Sequence, residues 1–276
     1  MRTEREQLPV EIPERVRPRP EVVPLAPEPS TNGNGNGTRP HTNGTNGNGK
    51  GHLSHVVLPV DWDAVLPERA SSARWRIAQG VKRVIDFGLA CVGLLVLSPL
   101  LLAVAALIKL TSRGPIFYVC EYVGYRGRRF PGYKFRTMVA DAEALKARLA
   151  HLNHMQGPAF KIREDPRITP LGRFLRKYSI DELPQLWNVV RGDMSLVGPR
   201  PPLPEEWLEY KDWHRGKLAV IPGITCYWQV NGRSEITDFD RWAELDLRYI
   251  QEWSLATDAR ILARTIPAVL TGDGAY

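Results

Sequence analysis

Apolar residues are concentrated in one uninterrupted block. Phe87 to Ile108 runs 22 residues without a charge, FGLACVGLLVLSPLLLAVAALI, which as a helix is long enough to span a bilayer. Two features argue against a simple crossing. Both flanks are basic: Arg69, Arg74, Arg76, Lys82 and Arg83 precede the block, and Lys109, Arg113, Arg126, Arg128 and Arg129 follow it. Cytoplasmic flanks carry the excess of Lys and Arg, so both ends are expected on that side. Ser98-Pro99 stands at the middle, where proline removes a helical hydrogen bond and crowds the preceding turn. The Ser98 hydroxyl can bond locally and soften the break. Arms of about 10–12 residues reach roughly 15–18 Å, the midplane of a hydrocarbon core about 30 Å thick. The pattern therefore fits a re-entrant helix–break–helix wedge over about 82–110. A Pro-kinked spanning helix fits it too.

Other periodicities are shorter. IFYV and FPGYKFRTM, within 114–138, flank Gly124 and Gly127 and predict a small hairpin with a glycine-containing turn. Asp141 to His154 predicts a polar helix with an apolar stripe at Ala144, Leu145, Leu149 and Leu152, stopped by Gly157-Pro158. Trp207, Tyr210 and Trp213 recur at helical spacing, as do Phe239, Trp242, Leu245, Tyr249, Ile250 and Trp253. Such helices either lie in a membrane interface or turn their aromatic face to a protein core.

Residues 1–68 predict no packed core: prolines crowd the first 30 residues and a Gly/Asn tract follows, too poor in apolar surface to offset the entropy of ordering it. The opening residues lack the apolar segment of a secretory signal. The folded domain is thus expected over 69–276. With 276 residues and a formal net charge of +7, an anionic partner is expected: a lipid surface, a phosphorylated substrate or nucleic acid. Nucleic acid ranks last, because the cations cluster beside membrane-seeking segments. Cys91, Cys120 and Cys226 are far apart and form no metal or disulfide pattern.

The densest polar segment is Asp165 to Pro202, which holds Arg167, Arg173, Arg176, Lys177, Arg191, Arg200 and the adjacent carboxylates Asp181 and Glu182. Ser179-x-x-Glu182 has the form of a capping box, and carboxylates favour a first helical turn. An ionised Asp there can also serve as a nucleophile and form an acyl-phosphate. Arg176 can meet a phosphate bidentately, and Gly198-Pro199-Arg200-Pro201 presents one guanidinium on a stiff loop. His151 and His154 are a weaker metal candidate at a solvated helix end.

About residues 78–276 resemble the bacterial sugar transferase family, the monotopic polyprenyl-phosphate phosphoglycosyl transferases. The resemblance rests on the apolar run with Ser98-Pro99, G-x-x-G-x-x-F-x-x-Y-K-F-R-T-M at 124–138 and F-K-I-R-E-D-P-R-I-T at 160–169. Its most specific piece is S-I-D-E-L-P-Q-L-W-N-V-V-R-G-D-M-S-L-V-G-P-R-P at 179–201. P-G-I-T-C-Y-W-Q-V-N-G-R at 222–233 and D-L-R-Y-I-Q-E-W-S at 246–254 follow in the family order. The resemblance implies an α+β, mainly helical monotopic membrane protein with a re-entrant helix, a small β-hairpin and amphipathic interfacial helices, on the cytosolic face of the bacterial inner membrane. It implies transfer of a sugar phosphate from a UDP-sugar to undecaprenyl phosphate, with Asp181 as nucleophile, UMP as leaving group and Mg²⁺ carried on Asp181. Glu182 completes an Asp-Glu dyad that activates the carrier or supports the metal. Arg176 is the matched phosphate-binding residue; Lys134, Arg136 and Arg200 are further nucleotide or phosphate contacts. A homodimer is compatible.

The chain departs from many members by ending Pro222-Gly223-Ile224-Thr225 with Cys226 where they have glycine. That form resembles the subgroup that starts exopolysaccharide synthesis, which points to UDP-glucose or UDP-galactose. Larger members carry an N-terminal bundle of spanning helices where this chain has its polar tail. The competing class is a non-catalytic membrane-surface scaffold.

Overall fold

The computed structural model describes residues 60–230 and 236–272. The Gly/Asn tract and its predicted disorder lie outside them. The packed unit starts earlier than residue 69: Val65 is buried in a core with Leu247 and Ile250, and Trp62 stacks on Trp207.

One helix, α1 (Ala73–Thr111), dominates the molecule. Ser72 caps its start, accepting from the Trp75 amide at 3.2 Å. At 39 residues it is longer at its N-terminal end than the predicted 82–110, because Ala, Gln and Arg continue the helix below the apolar run. It stays helical through Pro99. Pro99 deprives the Leu95 carbonyl of its usual i+4 amide donor, and the Ser98 hydroxyl donates to that carbonyl at 2.7 Å instead. Lys82, Asp86, Ala90, Val104 and Ile108 are buried, with Leu94, Leu97, Leu101 and Ala105 partly covered between them. They form one seam at three- and four-residue spacing. The other faces are bare: Leu95 is 75% and Leu102 72% exposed, an arrangement suited to lipid rather than water.

The rest of the unit packs along that seam. Strands β1 (Phe117–Val123) and β2 (Arg129–Phe135) form the predicted antiparallel hairpin, turned through Gly124 and Gly127. Helix α2 covers only Ala142–Lys146 before the chain tightens into 3₁₀ geometry over Ala147–Leu152, shorter than the predicted α-helix. Then come α3 (Pro170–Lys177), α4 (Leu186–Arg191) and β3 (Ser195–Val197). Helices α5 (Pro204–Leu208) and α6 (Asp212–Arg215) precede β4 (Gly223–Thr225), which pairs with β3 in parallel. Helices α7 (Tyr227–Val230), α8 (Phe239–Glu252) and α9 (Leu255–Thr271) complete the described chain.

The aromatic stripe of α8 faces the protein core, and Trp207, Tyr210 and Trp213 pack at least partly against that core. Phe239, Trp242, Leu245, Tyr249, Ile250 and Trp253 of α8 are all buried, and Tyr210 packs against Phe239. Their large rings fill the protein core, the stronger demand on that apolar face. Exposed apolar side chains concentrate on α1, and others include Phe174 of α3, Trp187 of α4, Leu208 of α5, Ile266 and Leu270 of α9 and the outer positions of β1.

Gly172 of α3 marks a close approach to the chain just past the hairpin. A Cβ there would lie 2.1 Å from the Thr137 carbonyl oxygen, which is backbone and cannot give way. Gly172→Ala is expected to cost about 2 kcal/mol and lower the thermal midpoint by about 4–8 °C, read by thermal unfolding of the detergent-solubilised protein.

Candidate active site

Asp181 is placed by an abrupt change of direction. After α3 the chain passes through Ser179 in the left-handed region (φ 53°) and enters a 3₁₀ turn, Ile180–Gln185. The predicted capping box does not form, because an N-cap residue needs extended geometry to aim its hydroxyl along the following amides. The Ser179 backbone carbonyl instead accepts from the Glu182 amide at 3.2 Å. Glu182 reaches across to β2, where its Oε1 lies 2.6 Å from Lys134 Nζ. Asn188 of α4 ties this segment to the hairpin, donating to the Pro131 carbonyl at 2.7 Å and accepting from the Tyr133 amide at 3.3 Å.

Asp181 is 8% exposed. Burial pushes its carboxyl up to about 6; the neighbouring Glu182 charge adds to the rise, and Lys134 and Arg176 oppose it. A single 3₁₀ turn has too little aligned dipole to outweigh burial, so the expected easily ionised carboxylate becomes one that titrates just below neutrality. Burial disfavours the Lys134 ammonium, but Glu182, then Tyr122 and Asp181, raise its pKa and hold it charged. Arg176 is lowered by burial, with Asp181 and Asp165 offsetting part of the effect. Its Nε donates to the Thr137 hydroxyl at 2.9 Å.

Asp181, Glu182, Lys134 and Arg176 therefore converge, as the sequence predicts. Arg200 stands one layer out: it pairs with Glu206 at 3.1 Å, lies over the Trp242 ring, and shares Tyr122 as an electrostatic neighbour with Lys134. Arg136 goes elsewhere. Its guanidinium donates to the carbonyls of Ser112, Arg113 and Pro115 and to the Ser112 hydroxyl, closing the C-terminal end of α1. Ser98 and Pro99 lie in α1, in the middle of the apolar run.

Three supports of the site carry little signal of their own in the sequence. Thr137 orients Arg176 and sits inside the quoted K-F-R-T-M stretch, next to residues already singled out. Asp165 is held by Arg167 through bonds of 2.9 and 2.7 Å, and Arg167 keeps its carboxyl below the usual range despite burial. Tyr122, buried on β1, had no marker beyond its place in a strand.

Two adjacent carboxylates suit a Mg²⁺ ion held largely by substrate phosphates, the usual mode for that ion at phosphoryl-transfer sites. Among the described residues no three Asp, Glu, His or Cys side chains gather into a dedicated cage, at His151 and His154 or elsewhere. Chemically, the arrangement offers a desolvated carboxylate within the electrostatic reach of an ammonium and a guanidinium. Such cations can neutralise the equatorial oxygens of a transferring phosphoryl group.

A family model described as bacterial sugar transferase matches residues 77–272. The galactosyl transferase CpsE of Streptococcus agalactiae is 46% identical over 194 residues, 70% of this chain and 43% of the relative. The exopolysaccharide production protein ExoY of Rhizobium meliloti is 39% identical, over 76% of this chain and 94% of the relative. The undecaprenyl-phosphate galactose phosphotransferase of Salmonella typhimurium is 43% identical, over 73% of this chain and 43% of the relative. The chain thus spans less than half the length of two of these proteins and nearly all of ExoY. The family match reaches from the base of α1 to the end of α9, through the turn that carries Asp181, and on that evidence the chain belongs to the bacterial sugar transferase family.

Proposed function

We propose that this protein transfers a sugar phosphate from UDP-galactose or UDP-glucose to undecaprenyl phosphate through a phosphosugar ester on Asp181. One observation carries the reading. The buried Asp181, electrostatically coupled to Lys134 and Arg176, sits in a turn whose ends join the clusters on both halves of the apolar run: Ile180 with that of Val104 and Ile108, Leu186 with that of Ala90. A reactive carboxylate lined by cations is thereby attached to the lipid-seeking helix, where a water-soluble donor and a lipid acceptor can meet.

A carboxylate oxygen of Asp181 attacks the sugar-linked phosphorus. The bond from that phosphorus to the bridging oxygen breaks and UMP leaves with the electron pair. An oxygen of undecaprenyl phosphate then attacks the same phosphorus, Asp181 departs as carboxylate, and the sugar diphosphate stays on the lipid. Lys134 and Arg176 hold the phosphoryl oxygens, Arg200 binds the outer phosphate of the donor, and Glu182, paired with Lys134, orients the carrier phosphate. Asp181 and Glu182 would hold Mg²⁺, which when bound supplies further neutralisation of phosphate charge.

The re-entrant, monotopic arrangement of α1 is part of this reading. The seam that packs against the globular unit runs the length of the apolar block, from Ala90 to Ile108. A helix crossing the bilayer would draw Phe135 and Leu175 into lipid with it. Basic flanks on both sides favour the cytosolic face of the inner membrane.

In vesicles, Asp181→Asn is expected to lower UMP release from UDP-galactose and UDP-glucose at least about 10³-fold; release within tenfold of the parent would remove Asp181 as the nucleophile. The raised pKa sets a pH dependence: UMP release should fall about tenfold per pH unit below 6, as the nucleophile takes up its proton. Stability moves the other way. The folded state binds this proton more tightly than the unfolded chain, so the ionised carboxylate is a cost that develops as pH rises from about 4 through 6. Asp181→Asn should therefore stabilise the metal-free protein by about 1–3 kcal/mol at pH 8, a gain that disappears by pH 4 in thermal unfolding.

A further inference from the structure

A second buried polar cluster lies at the base of α1, away from the reacting groups. Lys82 Nζ donates to Asp258 Oδ2 of α9 at 2.6 Å and to the Val197 carbonyl of β3 at 3.1 Å, and lies 3.5 Å from Asp86 Oδ2. Asp86 accepts from the Ser195 hydroxyl at 2.7 Å and the Leu196 amide at 3.3 Å. The Tyr249 hydroxyl is 3.0 Å from the Val197 carbonyl and 2.8 Å from Asp258 Oδ1. Lys82, Asp86, Ser195, Tyr249 and Asp258 are all buried. Burying two carboxylates and an ammonium gives little net stability compared with a well-packed apolar cluster; what such a network does fix is one relative placement of the elements that share it.

Those elements lead to the active site. Val197 ends β3, and Gly198-Pro199-Arg200 follows directly. The loop has little freedom: the Gly198 amide donates to Thr225, the Gly223 amide to Pro199 and the Val123 amide to Pro202, each at 3.0 Å. A Cβ on Gly198 would meet the Ile221 carbonyl oxygen at 2.6 Å. Arg200 is therefore positioned by wherever β3 is held, and Lys82 and Asp86 of α1 hold β3. The next residue of α1 grips the other side. Arg83 donates to the carbonyls of Val189 and Val190, at the end of the helix that follows Asp181.

We propose that Lys82, with Asp86 and Asp258, is a positioning residue that sets Arg200 relative to Asp181, using the membrane helix as the common frame. This rests on the reading above that Arg200 binds the outer phosphate of the donor.

The test is a double-mutant cycle on the full chain in vesicles, with kcat and KM for UMP release from UDP-galactose as readouts and thermal unfolding alongside. Lys82→Met is paired with Arg200→Lys, and the milder Tyr249→Phe, which removes one hydroxyl and keeps the ring, is run the same way. Expected are about tenfold losses in kcat/KM for Lys82→Met and for Arg200→Lys, and about threefold for Tyr249→Phe. The Lys82 and Tyr249 changes should become nearly silent once Arg200 is Lys, and Lys82→Arg should recover part of the loss. Losses that simply multiply, or a fall in thermal midpoint with kcat/KM unchanged, would overturn the positioning role. An Arg200→Lys variant with parental kinetics would instead remove Arg200 from the donor site, and the positioning role with it. Lys82→Met that fails to fold leaves Tyr249→Phe to decide by the same criterion.

Discussion

The structure depends on a single stripe of α1 being covered while the rest of that helix is left bare. An apolar helix in water would bury all of its faces; this one buries only the seam from Lys82 to Ile108. The open faces suit a second apolar phase, which the proposed function supplies as lipid. Once the seam is fixed, the hairpin, α3 and α4 have their places, and the turn between α3 and α4 brings Asp181 to the same boundary.

Burial at that boundary also governs the chemistry. Removing Asp181 from water would by itself favour the neutral acid, and Glu182 beside it pushes the same way. Lys134 and Arg176 oppose that rise and restore part of the charged form, as the proposed nucleophile requires. In the proposed reaction, the two cations that would stabilise a transferring phosphoryl group are thus the two that favour ionisation of the attacking oxygen. Thr137 and Asn188 serve as fixings for this balance rather than as participants in it.

Much of the arrangement was legible in the chain. The apolar block, the hairpin and the Asp-Glu pair could be read because each is local: uninterrupted hydrophobicity, glycines between β-like runs, adjacent carboxylates in a basic segment. The misreadings came where tertiary contacts decide. The aromatic stripes of α8 look the same whether they face lipid or protein, and only the packing of Phe239 and Trp242 settles which. Ser179 matches a capping box by spacing, yet its left-handed backbone defeats it. Arg136 shares a motif with Lys134, but strand alternation sends neighbouring positions different ways, and two residues on the chain has turned toward the end of α1.

The polar ties of α1 to the rest of the protein are gathered at its ends. Lys82, Arg83 and Asp86 anchor the lower part, and Ser112, bonded to Arg136, closes the upper. From Ala90 to Ile108 the side chains that pack on the domain are aliphatic, and the Ser98 hydroxyl bonds within the helix itself. Aliphatic contacts exchange for one another at small cost as long as volume is kept. The central stretch is therefore free to drift in sequence and to suit bilayers of different thickness or sterol content. Under the proposed function, the two bolted ends would meanwhile keep the Asp181 turn at a constant height above whatever membrane the cell provides.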